Sequence, residues 1–280
     1  MKKLYTLIGA MLMAGTLWAQ SVKELYIFHT NDMHSRVEPF PDDYQDTLLA
    51  GKAGLVRRAT FIKEQRKEHE DLLLFDCGDF SQGTPYYNMF KGEVEVQMMN
   101  AMGYDAGTIG NHEFDFGLDN MARLFKMANF PIVCANYDFT GTVLEGLVKE
   151  YVVIERDGIR IGVFGLSPEL DGLVAAHCYG NVKFNDPVSV AQRVADILKV
   201  KEGCDIVICL SHLGWNDEPY SDVELVENTR NIDVVLGGHS HSFFDGPKFY
   251  KNLDGTQVPV QQMGKHAAFV GKMVLKLKKK

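Results

Sequence analysis

Short apolar runs of β-type residues alternate along this chain with longer amphipathic stretches, and five of the runs break off in side chains able to bind a metal. LYIFHTND (25–32) predicts a first strand. GLVRRATFIKEQRKEHE (54–70), with Leu55, Ala59 and Ile62 at helical spacing, predicts a helix, and DLLLFDCGD (71–79) a buried strand running into a turn at Gly78. VEVQMMNAMG (94–103) reads as a helix stopping at Gly103, and LDNMARLFKMAN (118–129) as another ended before Pro131. PIVCANY (131–137) returns as a strand, and YVVIERDGIRIGVFGLS (151–167) is a hairpin turning at Asp157 and Gly158. Beyond it come a helix over 187–202, strand CDIVICLSH (204–212), a helix over 221–230 and strand IDVVLGGH (232–239). The tail, with a turn at Asp254 and Gly255 and the β-rich AAFVGKMVLKLK, is expected to close a second sheet. This alternation predicts an α/β or layered α+β domain, with residues 35–53 as a long loop bordering the first cluster of polar side chains.

Composition narrows the class. With 280 residues and 46% hydrophobic content the chain can bury one large core. Lys2 and Lys3 precede an apolar stretch from Leu4 to Trp18 and the small Ala19, the pattern of a secretory signal peptide. Residues 1–19 are therefore expected to be removed, leaving 20–280 as an exported domain, periplasmic or secreted, with no membrane anchor after cleavage. The formal charge of −8 gives no basis for binding a nucleic-acid duplex. It also repels phosphates at long range, so phosphate chemistry would need a local positive centre. Two divalent cations on two carboxylates would supply about +2 there. The five cysteines (Cys77, Cys134, Cys178, Cys204 and Cys209) form no CxxC pair and read as small buried hydrophobes.

The polar run ends are Asp32 and His34, Asp79, Asn111 with His112, His212, and His239 with His241. Each alone has an ordinary explanation: a cap or turn aspartate, a left-handed asparagine, a sheet-end histidine. Together at strand ends, where α/β sheets place their sites, they point to two metals and phosphoester hydrolysis. Two ions neutralise the phosphoryl oxygens and lower the pKa of bound water, and they need a bridging carboxylate. Asp79, leaving its strand beside a permissive glycine, suits that role.

FHTNDMH, LFDCGDFSQGTP, TIGNHEFDFG, LSHLGW and GGHSH, in this order, resemble the signatures of the calcineurin-like metallophosphoesterases, specifically the N-terminal domain of the 5′-nucleotidase family. The resemblance runs from about Glu24 to the end of the chain. It implies a layered α/β/β/α sandwich of two mixed sheets flanked by helices. It further implies that Asp32, His34, Asp79 and His241 ligate one metal, and that Asp79 bridges to a second held by Asn111, His212 and His239. Some relatives lack a histidine at the position of His241. The mixed oxygen and nitrogen set suits Zn, Mn, Co or Fe. His112 resembles the catalytic histidine that assists the leaving oxygen, with Asp115 holding its ring. The implied reaction is in-line attack on phosphorus by metal-bound hydroxide with no covalent phosphoenzyme.

Other polar residues read as structural. His29 is a core histidine, His69 ends a charged helix, and His177 and His266 lack partners at ligand spacing. Glu113 supports its loop; Asn136 either turns the chain or touches the site; Arg57 and Arg58 make surface pairs unless one faces phosphate. The familiar 5′-nucleotidases carry a C-terminal domain with the base-stacking aromatics and phosphate-binding arginines, which this chain is too short to include. Three functions follow: a stand-alone phosphatase for small phosphorylated substrates including nucleotides, the catalytic half of a split enzyme completed by a separate C-terminal-domain chain, or a non-catalytic metal-binding module.

Overall fold

The computed structural model describes residues 22–216 and 219–278, so the signal segment expected over 1–19 lies outside the described residues. Along the chain the strands are β1 (Val22–Thr30), β2 (Leu73–Asp76), β3 (Ala106–Gly107), β4 (Ile132–Val133), β5 (Tyr137–Asp138), β6 (Val148–Lys149) and β7 (Tyr151–Arg156). They continue as β8 (Ile159–Leu166), β9 (Lys183–Phe184), β10 (Ile206–Ser211), β11 (Val234–Leu236), β12 (Lys248–Lys251), β13 (Gln257–Gln261) and β14 (Gly271–Lys278). One six-stranded sheet has the order β14-β1-β2-β3-β4-β6, and a second the order β12-β13-β11-β10-β8-β7. Strands β1, β2, β3, β4 and β6 run parallel, as do β8, β10, β11 and β13; β14, β7 and β12 are antiparallel. Both sheets are thus mixed.

Period-two alternation puts the sheets face to face. Leu25 and Ile27 of β1, Leu73 and Phe75 of β2, and Ile206, Ile208 and Leu210 of β10 meet in one buried cluster between the sheets. The intervening residues point outward. Phe28 and Leu74 pack against Ile62, Val96 and Met99 of α1 (Leu55–Glu68) and a helix over Glu93–Met102. Val207 and Cys209 pack against Ala191, Val194 and Leu225 from helices over Pro187–Asp196 and Asp222–Glu227. Helix, sheet, sheet and helix therefore stack in the expected α/β/β/α order, because strands apolar on both faces must be covered on both. All five cysteines are free and buried.

Several expectations need correction. The final apolar run does not close the second sheet; β14 returns beside β1 in the first, pairing from Val22 with Lys278 to His29 with Gly271. Only the turn at Asp254 and Gly255 belongs to the second sheet, between β12 and β13. The 131–137 segment is not one strand. After Cys134, whose N–H still donates to Lys149 O of β6, it leaves the first sheet: the Ala135 N–H donates to Gly165 O in β8, and Asn136 bonds Ser167 through both ends of its amide. Asn136 therefore ties the two sheets together. Arg58 is buried, not a surface residue, with Nη1 against Met33 Sδ. Arg57 donates to the Gly51 carbonyl. The hairpin at Asp157 and Gly158 forms as expected, with both residues at positive φ.

Two consequences can be measured. A Cβ at Gly165 would run into the Val133 carbonyl oxygen and Thr108 Oγ1 where the sheets touch. Gly165→Ala should therefore cost at least about 1–3 kcal/mol in thermal or urea unfolding. His29 is fully buried between the sheets with Nε2 3.3 Å from Gln261 Oε1, and burial lowers its pKa to about 4. The unfolded chain binds a proton near the ordinary value of 6.5 that the folded chain refuses until about 4, so this stability is present above 6.5 and lost as pH falls towards 4. In His29→Gln the fall in unfolding free energy between these pH values should be shallower by on the order of 3 kcal/mol.

Candidate metal centre

The polar side chains at the five run ends converge because their strands do. β1, β2 and β3 are parallel within one sheet and β10 and β11 within the other, and the carboxyl ends of both sets open on one end of the sandwich. Asp32 and His34 follow β1, Asp79 follows β2, Asn111 and His112 follow β3, His212 follows β10, and His239 and His241 follow β11. The loops interlock: Asp32 N–H donates to Gly78 O and His34 N–H to Asp79 O, both at 3.0 Å. Gly78 is at positive φ, and a side chain there would strike Gly110 and the His212 ring.

Hydrogen bonds fix which atom each residue presents. Asp32 Oδ2 accepts from Asn31 Nδ2 (2.7 Å) and from His239 N–H (3.0 Å), leaving Oδ1 free. That oxygen lies 3.3 Å from His241 Nε2 and 3.7 Å from His34 Nε2. Asp79 Oδ1 accepts from His112 N–H (2.9 Å), while Oδ2 lies 3.1 Å from His212 Nε2. His212 Nδ1 is 2.6 Å from Cys77 O and donates to it, so Nε2 is the nitrogen turned to the carboxylates. Glu113 holds the floor, accepting from the N–H groups of Asp79 (2.9 Å) and Gly110 (2.7 Å).

The donor set fits divalent ions. Asp32 Oδ1 and Asn111 Oδ1 are buried without a hydrogen-bond partner among the described residues, and buried polar atoms are rarely left so; His212 Nε2 is buried with Asp79 Oδ2 3.1 Å away. His34 Nε2 and His241 Nε2 lie 2.9 Å apart, a separation at which two lone pairs require a proton or a cation to share. Asp32, His34 and His241 can bring one ligand atom each within 4.8 Å of one another, as can Asp79, His212 and His239. A third such group, His34, Asp79 and His112, lies between them.

Electrostatics agree. Burial opposes charge on Asp32 and Asp79, but His212 and the other imidazoles hold both carboxyls below the usual carboxylate range. Burial likewise opposes a proton on His212, and the two carboxylates outweigh it, keeping its pKa well above the ordinary value. Burial lowers His34 and His239 to about 4, which leaves both imidazoles neutral at neutral pH, the form that a metal requires. His112 sits beside the group with Nδ1 3.0 Å from Asp115 Oδ2, and this bond and the nearby carboxylates raise its pKa against the effect of burial.

The sequence missed two things here. His266 lacks ligand spacing, yet its ring lies 5.8 Å from that of His34 and its N–H donates to Asp32 O at 2.6 Å. Asp32, His34, Asp79, His239 and His241 all adopt positive φ. Such backbone is uncommon for residues with a Cβ and costs on the order of 1 kcal/mol or more each.

Residues 25–243 match the calcineurin-like phosphoesterases. The chain is 35% identical to a snake venom 5′-nucleotidase of Gloydius brevicauda over 93% of its own length and 48% of that protein. It is also 35% identical to the 2′,3′-cyclic-nucleotide 2′-phosphodiesterase/3′-nucleotidase of Haemophilus influenzae, over 82% of this chain and 38% of the other. The crystal structure of a 5′-nucleotidase precursor from Thermus thermophilus superposes with a TM-score of 0.81 at 31% identity, covering 90% of this chain and 51% of that one. The chain thus spans about half the length of the relatives it matches or less. With two mixed sheets, ligand-bearing loops at one end and a family match over most of its length, the chain belongs to the calcineurin-like phosphoesterases.

Proposed function

We propose that this chain is an exported, 5′-nucleotidase-like phosphoester hydrolase working with two divalent cations. Asp32, His34, Asp79 and His241 would hold one ion, and Asp79, Asn111, His212 and His239 the other. The observation that carries this reading is the pair of ligand groups, Asp32 with His34 and His241 and Asp79 with His212 and His239, together with the buried Asp32 Oδ1 and Asn111 Oδ1, which have no hydrogen-bond partner among the described residues. When bound, two such ions neutralise phosphoryl oxygens and make water a stronger acid.

The chain's own residues do the rest. Asp79 belongs to both ligand sets, and its backbone is clamped by Glu113. His112 is held by Asp115 through Nδ1, which makes Nε2 the nitrogen that delivers a proton to the departing alkoxide. The names of the relatives, nucleotidases and a nucleotide phosphodiesterase, support a nucleotide among the substrates. In this reading nucleotide preference resides in this chain or arrives with a separate C-terminal-domain chain. Lys2 and Lys3 ahead of an apolar stretch support export, and no described helix is long and apolar enough to cross a membrane.

The test is turnover by purified protein with Mn²⁺ or Zn²⁺ on mononucleotides, nucleotide sugars, cyclic nucleotides and an aryl phosphate. Asp79→Ala should lose both bound metal and activity. His112→Asn should retain about two ions per chain while kcat falls roughly 10²- to 10⁴-fold. Metal uptake by the wild type without turnover on any of these esters would sink the reading. Stripping with a chelator should abolish activity and lower Tm, and adding Mn²⁺ to about 100 times its Kd should return about 2.7 kcal/mol of stability per site.

A further inference from the structure

Behind the loop that carries His239 and His241 lie two fully buried polar side chains that the hydrolytic reading does not use, Asp222 and Gln262. Asp222 begins the helix over Asp222–Glu227, and its N–H donates to Gly214 O (2.7 Å), two residues past His212. Asp222 Oδ2 accepts from Gln262 Nε2 at 3.0 Å. The other end of that amide, Oε1, accepts from Ser240 Oγ (2.9 Å) and from Ser242 N–H (3.3 Å). Ser240, between the two histidines, also receives Trp215 N–H at 3.0 Å, so one hydroxyl touches both ligand-bearing loops.

The polarity of this chain of bonds is determined. Ser242 N–H can only donate, so an oxygen of Gln262 must face it, and the amide NH₂ must then face a group that accepts. Asp222 is that group. With the amide reversed, NH₂ would meet N–H and the amide oxygen would meet a carboxylate. The loop needs a firm backing because His239 (φ 72°) and His241 (φ 55°) are both left-handed, and such backbone persists only where its surroundings over-determine it.

We propose that Asp222, acting through Gln262, is a positioning pair that sets His239 and His241 against His212 in the metal centre. The proposal rests on the reading of these histidines as ligands. Outer partners that orient metal ligands are worth about 10- to 100-fold in metal affinity.

Wild type, Gln262→Glu, Asp222→Asn, the double variant and Asp79→Ala would be stripped with a chelator and titrated calorimetrically with Mn²⁺ at pH 8. Gln262→Glu removes the NH₂ group that donates to Asp222 and should weaken Mn²⁺ binding about 10- to 100-fold. Asp222→Asn alone keeps an acceptor for Gln262 and should change little. In the double variant the amide introduced at position 222 can donate to the new carboxylate, so most of the affinity should be recovered. If Gln262→Glu does not fold, as judged by thermal unfolding of the stripped protein, Gln262→Leu breaks the link without adding charge and should show the same loss. Wild-type affinity in Gln262→Glu or Gln262→Leu, beside a loss in Asp79→Ala, would overturn the positioning role and leave the metal centre standing. A loss in Gln262→Glu that the double variant does not recover would also overturn it. Fewer than about two ions on the wild type would overturn the ligand reading and this proposal with it.

Discussion

Two buried carboxylates, Asp32 and Asp79, are kept charged at the end of the sandwich where loops of both sheets meet, and much of the local architecture makes that tolerable. Taking an ion out of water costs several kcal/mol even after relaxation. Asp32 recovers part of this through two N–H donors on Oδ2, and Asp79 through the His112 N–H on Oδ1. The remaining oxygens face imidazoles, one of which, His212, is driven to hold a proton by the same carboxylates. An arrangement that needs positive charge at this point, and offers neutral His34 and His239 around it, is tuned for cations. Nearby acids follow a different rule. Burial and the nearby Asp79 raise Glu113 to about 7, against the pull of the Gly110 and Asp79 N–H groups that it accepts.

Much of this was legible in the sequence. Apolar runs that end in Asp, Asn or His located the strand ends, and the family-like order of the motifs gave the layering that the sheets display. The reasons are local: a strand buried on both faces must be apolar throughout, so a sudden polar residue marks its exit from the core. What was not legible depends on long-range pairing. Nothing in AAFVGKMVLKLK says which sheet it joins, because period-two patterning specifies a face and not a neighbour. The PIVCANY run satisfies strand propensity throughout, yet Asn136 is used to cross between sheets.

The conformation of the ligand loops was equally hidden. Glycine advertises positive φ, but aspartate and histidine do not, and five of the expected ligand residues adopt it. The loops hold this shape through bonds to one another and to side chains distant in sequence, such as Glu113 on Asp79 N–H and Gln262 on Ser242 N–H. Arg58 illustrates the same blindness for helices. A charged position beside Arg57 on an amphipathic helix reads as surface, yet it is packed under Met33, between Asp32 and His34.

The return of β14 to the side of β1 has a consequence for the order of events during synthesis. β1 leads into Asp32 and His34, but its antiparallel neighbour β14 is made far later, at Gly271–Lys278. Asn31 and Asp32 are also gripped from the end of the chain, by Met263 N–H on Asn31 Oδ1, by Gly264 O on Asn31 Nδ2, and by His266 N–H on Asp32 O. Closing so long a loop is entropically slow, and contacts of this span form late in folding. The loop with Asp32 and His34 therefore reaches its final shape only once residues as far along as 278 are in place.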